Sequence, residues 1–395
     1  MTTAATPLPG RSRLGAAASW RERARDGLRR QVTRVAEAAV TPLALDDVLD
    51  HFAPLRKDAG DMRARIVSVH PETADAATIE LQPGKDWAGH VPGQFVRIGI
   101  EVDGVRHWRA YSLTHGPRPD GRITITVKAV PGGVVSTHLV HHATPGTLVL
   151  LEQAAGDFVL PDDLLTGDAK LLFVTAGSGI TPVIGMLRNL FPVTDSGVVT
   201  RGRDLDITVV HVAPSEPVSI FIRDLRALDA AGAIRLLAHH TDKAGRFEVA
   251  SLGELVPDLA ERTTYACGPA GLLDELRDHH GERGLPLHVE QFRVATVVAG
   301  EGGTIAFTGP AGAGTTLEMP GDRPILDVAE EAGVLMPSGC RMGICMGCVV
   351  PLKEGAVRNL RTGDLTVATP GETPTGGLPV QTCISAAAGA CTIDH

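Results

Sequence analysis

The chain has 395 residues, 43% of them hydrophobic and 21% charged, with a formal net charge of −9. That length provides for about two to four domains, and the acidic balance argues against bulk nucleic-acid binding. Six cysteines are too few for a disulfide scaffold, and neither a leader-like stretch nor an apolar run of about eighteen residues is present, so the expected setting is a reducing cytoplasm.

Residues 1–60 read as a basic helical extension. Within residues 1–40, eight arginines and no lysine face Glu22, Asp26 and Glu37, a local charge of about +5 that leaves about −14 for the rest. Ser19 with Glu22 three residues on opens a helix, with Leu28, Val32, Val35, Ala36 and Ala39 on one side and Arg21, Arg25, Arg29 and Arg30 forming a basic face. Two readings stand side by side. Either the segment 19–40 makes peripheral contact with an anionic membrane or an acidic partner, with Trp20 as anchor, or it packs on the next domain with its arginines in water.

Residues 61–164 change character. Alternating apolar stretches at 64–69, 95–100 and 123–127, bounded by Gly and Pro turns, predict an antiparallel β-barrel. Residues 165–294 alternate strands (170–175, 207–212, 264–267) with helices (182–190 and a stretch through Leu272, Leu273 and Leu276). Such repeated units predict a doubly wound α/β sheet with ligands at the strand C-termini. Residues 295–395 return to short strands: a hairpin at 304–307 and 316–319, then a helix capped by Asp322, with Pro324 near its start and Gly333 at its end.

The segment that follows carries the strongest signal. Cys340, Cys345 and Cys348 are spaced C-x4-C-x2-C, and Cys383 supplies a distant fourth thiol, the plant-type 2Fe-2S ligand pattern. Ser338, Gly339, Gly343 and Gly347 leave little bulk, so backbone N–H groups can approach the sulfurs. Structural zinc usually shows two C-x2-C pairs or a Cys/His mixture instead. Upstream, Arg109-Ala110-Tyr111-Ser112 places a guanidinium and an aromatic ring on one strand face, suited to a pyrophosphate and a planar cofactor. Gly132-Gly133-Val134-Val135-Ser136 reads as a glycine turn before a helix that Ser136 caps, whose free N–H groups receive phosphate.

Together these segments resemble ferredoxin–NADP+ reductase-type flavoproteins with a plant-type 2Fe-2S ferredoxin domain at the C-terminus, most of all bacterial reductases that serve acyl desaturases. Arg109, Tyr111 and Ser112 match the family's R-x-Y-S flavin motif, residues 133–136 its pyrophosphate motif, residues 174–182 its nicotinamide-nucleotide loop, and Cys267-Gly268-Pro269 the motif beside the nicotinamide. The resemblance implies a multidomain fold: an antiparallel β-barrel for FAD, a doubly wound α/β nucleotide domain and an α+β β-grasp ferredoxin domain. It implies flavin contacts at Arg109, Tyr111, Ser112, Thr114, Lys128, Gly133, Val135 and Ser136. For the nicotinamide nucleotide it implies Thr175, Gly177, Gly179, Thr181, Pro182, Cys267, Gly268 and Pro269. Ser112, Cys267 and Phe292 then stand at the point of hydride transfer, although Phe292 fits a core position at the domain end equally well. Electrons would pass from NADPH, with NADH as the other option, through FAD and the cluster to a terminal oxygenase or membrane desaturase. A Rieske-type hydroxylase is the alternative acceptor, and a flavin and cluster redox sensor the reading from another class.

Other features weigh less. Residues 309–316 mimic a P-loop but have Thr315 where the phosphate-binding lysine belongs. The pairs or clusters at His138, His141, His142, His239, His240, His279 and His280 lack a ligand spacing and read as exposed or capping residues. Cys391 is expected in the final strand. After the second nucleotide-domain strand, Ser215 suits a 2′-phosphate and Glu216 a ribose, with Arg223 or Arg246 as possible cationic partners.

Overall fold

A computed structural model describes residues 53–57, 61–102, 105–165, 169–192, 199, 205–292, 299, 301–308, 314–339, 341, 343, 346–369, 371 and 373–394. Residues 1–61 with 84–86 form one compact unit, and residues 62–83 with 87–395 form another. In the first unit the Lys85 N–H donates to the Leu55 carbonyl at 3.1 Å. The arginine-rich segment 19–40 lies outside the described residues.

The second unit holds three sheets. The first contains β1 (Arg63–Thr73), β2 (Ala76–Pro83), β3 (Phe95–Val102), β4 (Val105–Ser112), β5 (Ile123–Lys128) and β6 (Leu148–Leu151), antiparallel in the order β4-β3-β6-β1-β2-β5. In β5, Ile123, Ile125 and Val127 point into a core shared with Ile66, Ile79, Leu81 and Ile98. Thr124 and Thr126 point the other way and are buried too, so their hydroxyls need partners. Thr126 pairs with Thr78 at 2.7 Å, and Thr114 donates to Thr124 at 3.0 Å. A bridge between Leu113 and Ile125 and an N–H from Thr114 to the Thr124 carbonyl (2.9 Å) join the two ends of the sheet. The result is a closed barrel without free edges there. Helix α1 (Val134–His141) adds Val135 and Leu139 to its core. Gly133, not Ser136, is its N-cap. Ser136 sits one turn too late for that role; its hydroxyl donates to the Gly133 carbonyl and accepts the Val130 N–H.

The second sheet is parallel: β7 (Lys170–Ala176), β8 (Asp206–Ala213), β9 (Arg235–His240), β10 (Arg262–Cys267) and β11 (Leu287–Glu290), ordered β11-β10-β7-β8-β9. Its connections carry α2 (Ile180–Leu190), α3 (Ile222–Ala230), α4 (Thr241–Ala244), α5 (Leu252–Leu255) and α6 (Ala270–Gly281). Along β7, Leu171 and Phe173 enter one apolar cluster while Leu172 and Val174 enter another. Burial on both faces explains the uninterrupted apolar run that a half-exposed strand would not tolerate. Helix α2 begins at Ile180, two residues before the sequence expectation, because proline is compatible with a first helical turn. His280 corrects the expectation of an exposed or capping side chain: it is buried, donates from Nδ1 to the Leu276 carbonyl, and accepts the Thr264 hydroxyl at Nε2, both at 3.0 Å.

The third sheet has β12 (Gly303–Phe307), β13 (Thr315–Met319), β14 (Val349–Asn359), β15 (Leu365–Ala368) and β17 (Ser385–Ile393) in the order β13-β12-β17-β14-β15, with β16 (Leu378–Gln381) pairing β14. Helix α7 (Ile325–Glu331) lays Ile325, Leu326 and Ala329 across it, completing the grasp. Pro324 rather than Asp322 takes the N-cap position. Gly333, at φ 81°, closes the helix: its N–H donates to Glu330 and that of Val334 to Ala329. The P-loop-like stretch leads from β12 into the antiparallel β13, the wrong context for phosphate binding; its residues 309–313 lie outside the described residues. Cys391 is buried in β17. Among the described residues no helix is long and apolar enough to cross a membrane.

Candidate functional site

Strand β4 sets the first half of the site. Arg109 and Tyr111 lie opposite Ile98 and Val96, and Ser112 ends the strand opposite Phe95. The turn before β3 is tight: at Gly93 (φ 102°) a Cβ would stand 2.1 Å from the Phe158 carbonyl oxygen, so only glycine fits. Ser112 is 4% exposed, and its hydroxyl has no hydrogen-bond partner among the described residues. A buried, unpaired hydroxyl is costly unless a ligand completes it. Burial and the charge of Arg341 push the Arg109 pKa down, against the pull of Glu330. Burial raises that of Tyr111. A partly buried guanidinium, an aromatic ring and a vacant hydroxyl on one strand suit a planar ring with an anionic tail.

The anionic tail has a second support. No side chain caps α1, and its first turn carries no acidic residue, which leaves N–H groups available to phosphate. A cleft of about 560 Å³ lies there, lined by Val102, Gly132, Gly133, Val134, Thr137, His138 and His142. Thr114 and Lys128 are already engaged, the first with Thr124 and the second in an ion pair with Asp75 at 2.9 Å.

The nucleotide sheet supplies the other half. From β7 the chain runs through a 3-10 turn (Gly177–Gly179) into α2, again without a side-chain cap, and the Thr181 hydroxyl donates to the Ser178 carbonyl at 2.9 Å. At Gly179 a Cβ would stand 2.1 Å from the Cys267 carbonyl oxygen, so the glycine lets the β7–α2 turn touch the β10–α6 turn. This joins residues 177–182 to Cys267, Gly268 and Pro269 at the switch point of the sheet, where such folds bind ligands. Helix α2 also rests on the barrel: Gly185 packs against the Leu113 carbonyl, and Arg188 donates to that of Thr114 at 2.9 Å. The end of the R-x-Y-S strand and the nucleotide loop thus belong to one packed region.

Thr175, Cys267 and Glu290 align across the ends of β7, β10 and β11. Thr175 bonds His211 Nδ1 at 2.9 Å, and burial pushes the His211 pKa down to about 4. Burial, aided by Glu290, pushes the Cys267 thiol well above its usual range, the opposite of what a nucleophile needs. Glu290 is the residue to which sequence reasoning gave no role. Its Oε2 is buried with no partner among the described residues, and desolvation lifts its pKa to about 8. The signal was a carboxylate closing a short strand, Leu287–Glu290, at the ligand edge of the sheet. Phe292 packs, partly buried, against the apolar cluster that includes Cys267.

In the third sheet, Cys348 and Cys383 are 1% and 4% exposed, with their sulfurs 3.1 Å apart. That is too long for a disulfide of about 2.05 Å. Thr382 fixes the pair by donating its N–H (3.2 Å) and hydroxyl (3.0 Å) to the Cys348 carbonyl. Gln381 donates to the Gly343 carbonyl at 2.9 Å, holding the loop. Arg341 and Met346 have positive φ (58° and 56°), an unusual conformation for residues with a Cβ. Cys340 and Cys345 lie outside the described residues. Two converging, desolvated sulfurs, one at the end of the glycine-rich loop and one in the turn between β16 and β17, are suitable donors for a soft metal centre.

Residues 64–159 match the oxidoreductase FAD-binding domain family, and residues 309–388 match the 2Fe-2S iron-sulfur cluster binding domain family. An NADPH oxidoreductase of Mycobacterium tuberculosis is 42% identical over 369 residues, 91% of either chain. The chain belongs to the ferredoxin reductase-type FAD oxidoreductases with a C-terminal 2Fe-2S domain. The reductase is also 30% identical to the ferredoxin reductase component of 3-ketosteroid-9-alpha-monooxygenase from Mycolicibacterium smegmatis, covering 77% of this chain and 86% of that one. Its fold is similar to that of phthalate dioxygenase reductase (TM-score 0.58, 24% identity, 85% of this chain and 98% of the other). It is an NAD(P)H-dependent oxidoreductase that uses FAD and a 2Fe-2S cluster.

Proposed function

We propose that this reductase takes electrons from NADPH and delivers them singly, through FAD and the 2Fe-2S cluster, to a terminal iron oxygenase, and that this oxygenase is a membrane fatty-acyl desaturase. When bound, the flavin supplies the conversion of a two-electron hydride into single electrons, which the cluster carries one at a time. Arg109 and the N-terminus of α1, at Gly133, Val135 and Ser136, hold the flavin phosphates. Tyr111 would pack on its ring, and the Ser112 hydroxyl, buried and unpaired among the described residues, would hydrogen-bond to it. The loop from Thr175 through Gly177, Gly179, Thr181 and Pro182 binds the nucleotide, and Cys267, Gly268 and Pro269 flank the nicotinamide. Cys340, Cys345, Cys348 and Cys383 hold the cluster. The observation that carries this reading is the seating of α2 on the residues that follow Ser112, which brings hydride donor and acceptor sites into one region.

NADPH is favoured by the name of the M. tuberculosis relative and by the charges after β8. Glu216 is held by Arg226, with Lys243 and His240 close enough to stabilise its charge, so it is poorly placed to accept a ribose hydroxyl. Arg246 is paired with Glu275. The desaturase reading rests on the family resemblance and on the arginine-rich segment 19–40. A Rieske-type or other hydroxylase is the second reading, favoured by relatives named as monooxygenase reductase components.

The test is reconstitution. Reductase and NADPH are added to desaturase-containing membranes or to a Rieske-type oxygenase, and product is measured for the full chain and for a chain lacking residues 1–40. Desaturation that weakens on truncation supports the membrane partner. Turnover only with the Rieske-type oxygenase overturns it, and reduction of artificial acceptors alone sinks both.

A further inference from the structure

Arg97 of β3 lies opposite Ala110 of β4, and Gly99, two residues on, lies opposite Trp108. All four share a face of the ribbon, the reverse of the one that carries Arg109 and Tyr111. A Cβ at Gly99 would stand 2.9 Å from Trp108 Cε2, so the glycine lets the indole lie across β3. The Arg97 guanidinium then stands 5.2 Å from the indole centroid. Its Nη1 is 2.8 Å from Glu152 Oε1, and the Glu152 N–H donates back to the Arg97 carbonyl at 3.0 Å. Charge and orientation are therefore fixed within the barrel. Its Nη2 donates at 3.0 Å to the carbonyl of Ser338, 241 residues away and two residues before Cys340. Because the acceptor is a backbone oxygen, the contact fixes where the chain runs, whatever side chain stands there.

On the other side of Cys340, Arg341 is ion-paired with Asp327 and Glu330 of α7. The first cysteine is thus bracketed, by the barrel through Ser338 and by its own domain through Arg341. His107 and Arg109 of β4 both feel the charges of Arg341 and Glu330, which puts the loop beside the strand of the flavin motif.

We propose that Arg97 is a positioning residue for flavin-to-cluster electron transfer, a clasp that holds the entrance of the cysteine loop against the β3–β4 ribbon. The inference rests on the electron route proposed above. The step it serves moves one electron: the reduced flavin loses it and the oxidised cluster gains it, with the coenzyme hydride as its source. Electron transfer between fixed centres falls steeply with distance, so a loop free to swing away lowers the rate without altering either centre.

The test is anaerobic stopped-flow absorbance on the full-length holoprotein mixed with NADPH, comparing wild type with Arg97→Met and Arg97→Lys. In Arg97→Met the fast flavin bleaching is expected to keep its rate, while cluster bleaching slows about tenfold, the effect of losing one charge-assisted hydrogen bond. Arg97→Lys is expected to recover only part, because an ammonium lacks the planar fork that reaches Glu152 and Ser338 together. Hydrogen exchange at residues 335–339 should rise in both variants, while the cluster's electron paramagnetic resonance spectrum stays unchanged. Unchanged cluster bleaching, or equal slowing of both phases, overturns the clasp. If the wild-type cluster is never reduced, the route fails instead, and exchange at residues 335–339 still decides whether Arg97 holds the loop.

Discussion

At the C-terminal edge of the nucleotide sheet and the end of β4, buried polar groups stand without partners among the described residues: the Ser112 hydroxyl, one Glu290 oxygen and the His211 Nε2. Around the entrance to the cysteine loop the charges are ion-paired instead, Arg97 with Glu152 and Arg341 with Asp327 and Glu330, although the Nε of each arginine is itself buried without a partner among the described residues. The difference follows the chemistry each region serves. On the proposed function, hydride transfer would make and break bonds at a bound nucleotide, which calls for groups held ready for a ligand and away from water. Single-electron transfer makes no bond, and what it needs from the protein is a fixed separation, which paired charges and backbone contacts supply.

The largest expected effect comes from Cys348→Ala or Cys383→Ala. Acceptor-directed electron delivery and the reduced-cluster resonance signal should vanish, while flavin bleaching by NADPH persists. Loss of both phases would show that the two regions are not separable. Ser112→Ala should slow flavin reduction roughly a hundredfold, the loss seen when one preorganised hydrogen-bond donor is removed. The same variant should melt at a higher temperature without flavin, because the unpaired buried hydroxyl is gone. A lower melting temperature would mean that the hydroxyl is structural.

Gly179→Ala forces a Cβ onto the Cys267 carbonyl and should destabilise the protein by about 1–3 kcal/mol, with a raised KM for NADPH. Calorimetry with steady-state kinetics checks both. The last prediction is a pH dependence. Glu290 titrates at about 8 when folded against an ordinary 4.5, so between these values the folded chain holds a proton that the unfolded chain has lost. Its contribution to stability is therefore full below 4.5 and lost as pH rises toward 8. Glu290→Gln should flatten that slope in denaturant titrations, and an unchanged slope would assign it to other groups.

Local pattern carried much of this. The C-x4-C-x2-C spacing, the R-x-Y-S strand and the glycine-rich turn after β7 are short stretches whose chemistry depends on neighbours in sequence, as do the alternating strands of the barrel and the apolar run of β7. Local pattern misled at Ser136 and Asp322, where a capping residue type stood near a helix start but the backbone turned at Gly133 and Pro324. It also misled at His280, because a polar residue in a helix gives no sign of the threonine that satisfies it from a distant strand.

The sequence by itself determined the kinds of site this chain carries, because ligand spacing and strand periodicity are written in consecutive residues. Only the tertiary structure decided that Glu290 loses its water, that α2 rests on the end of the flavin-motif strand, and that Arg97 reaches Ser338. Each of these depends on desolvation or contact between residues far apart in the chain, which arise when three sheets pack and leave no periodic trace in any one segment.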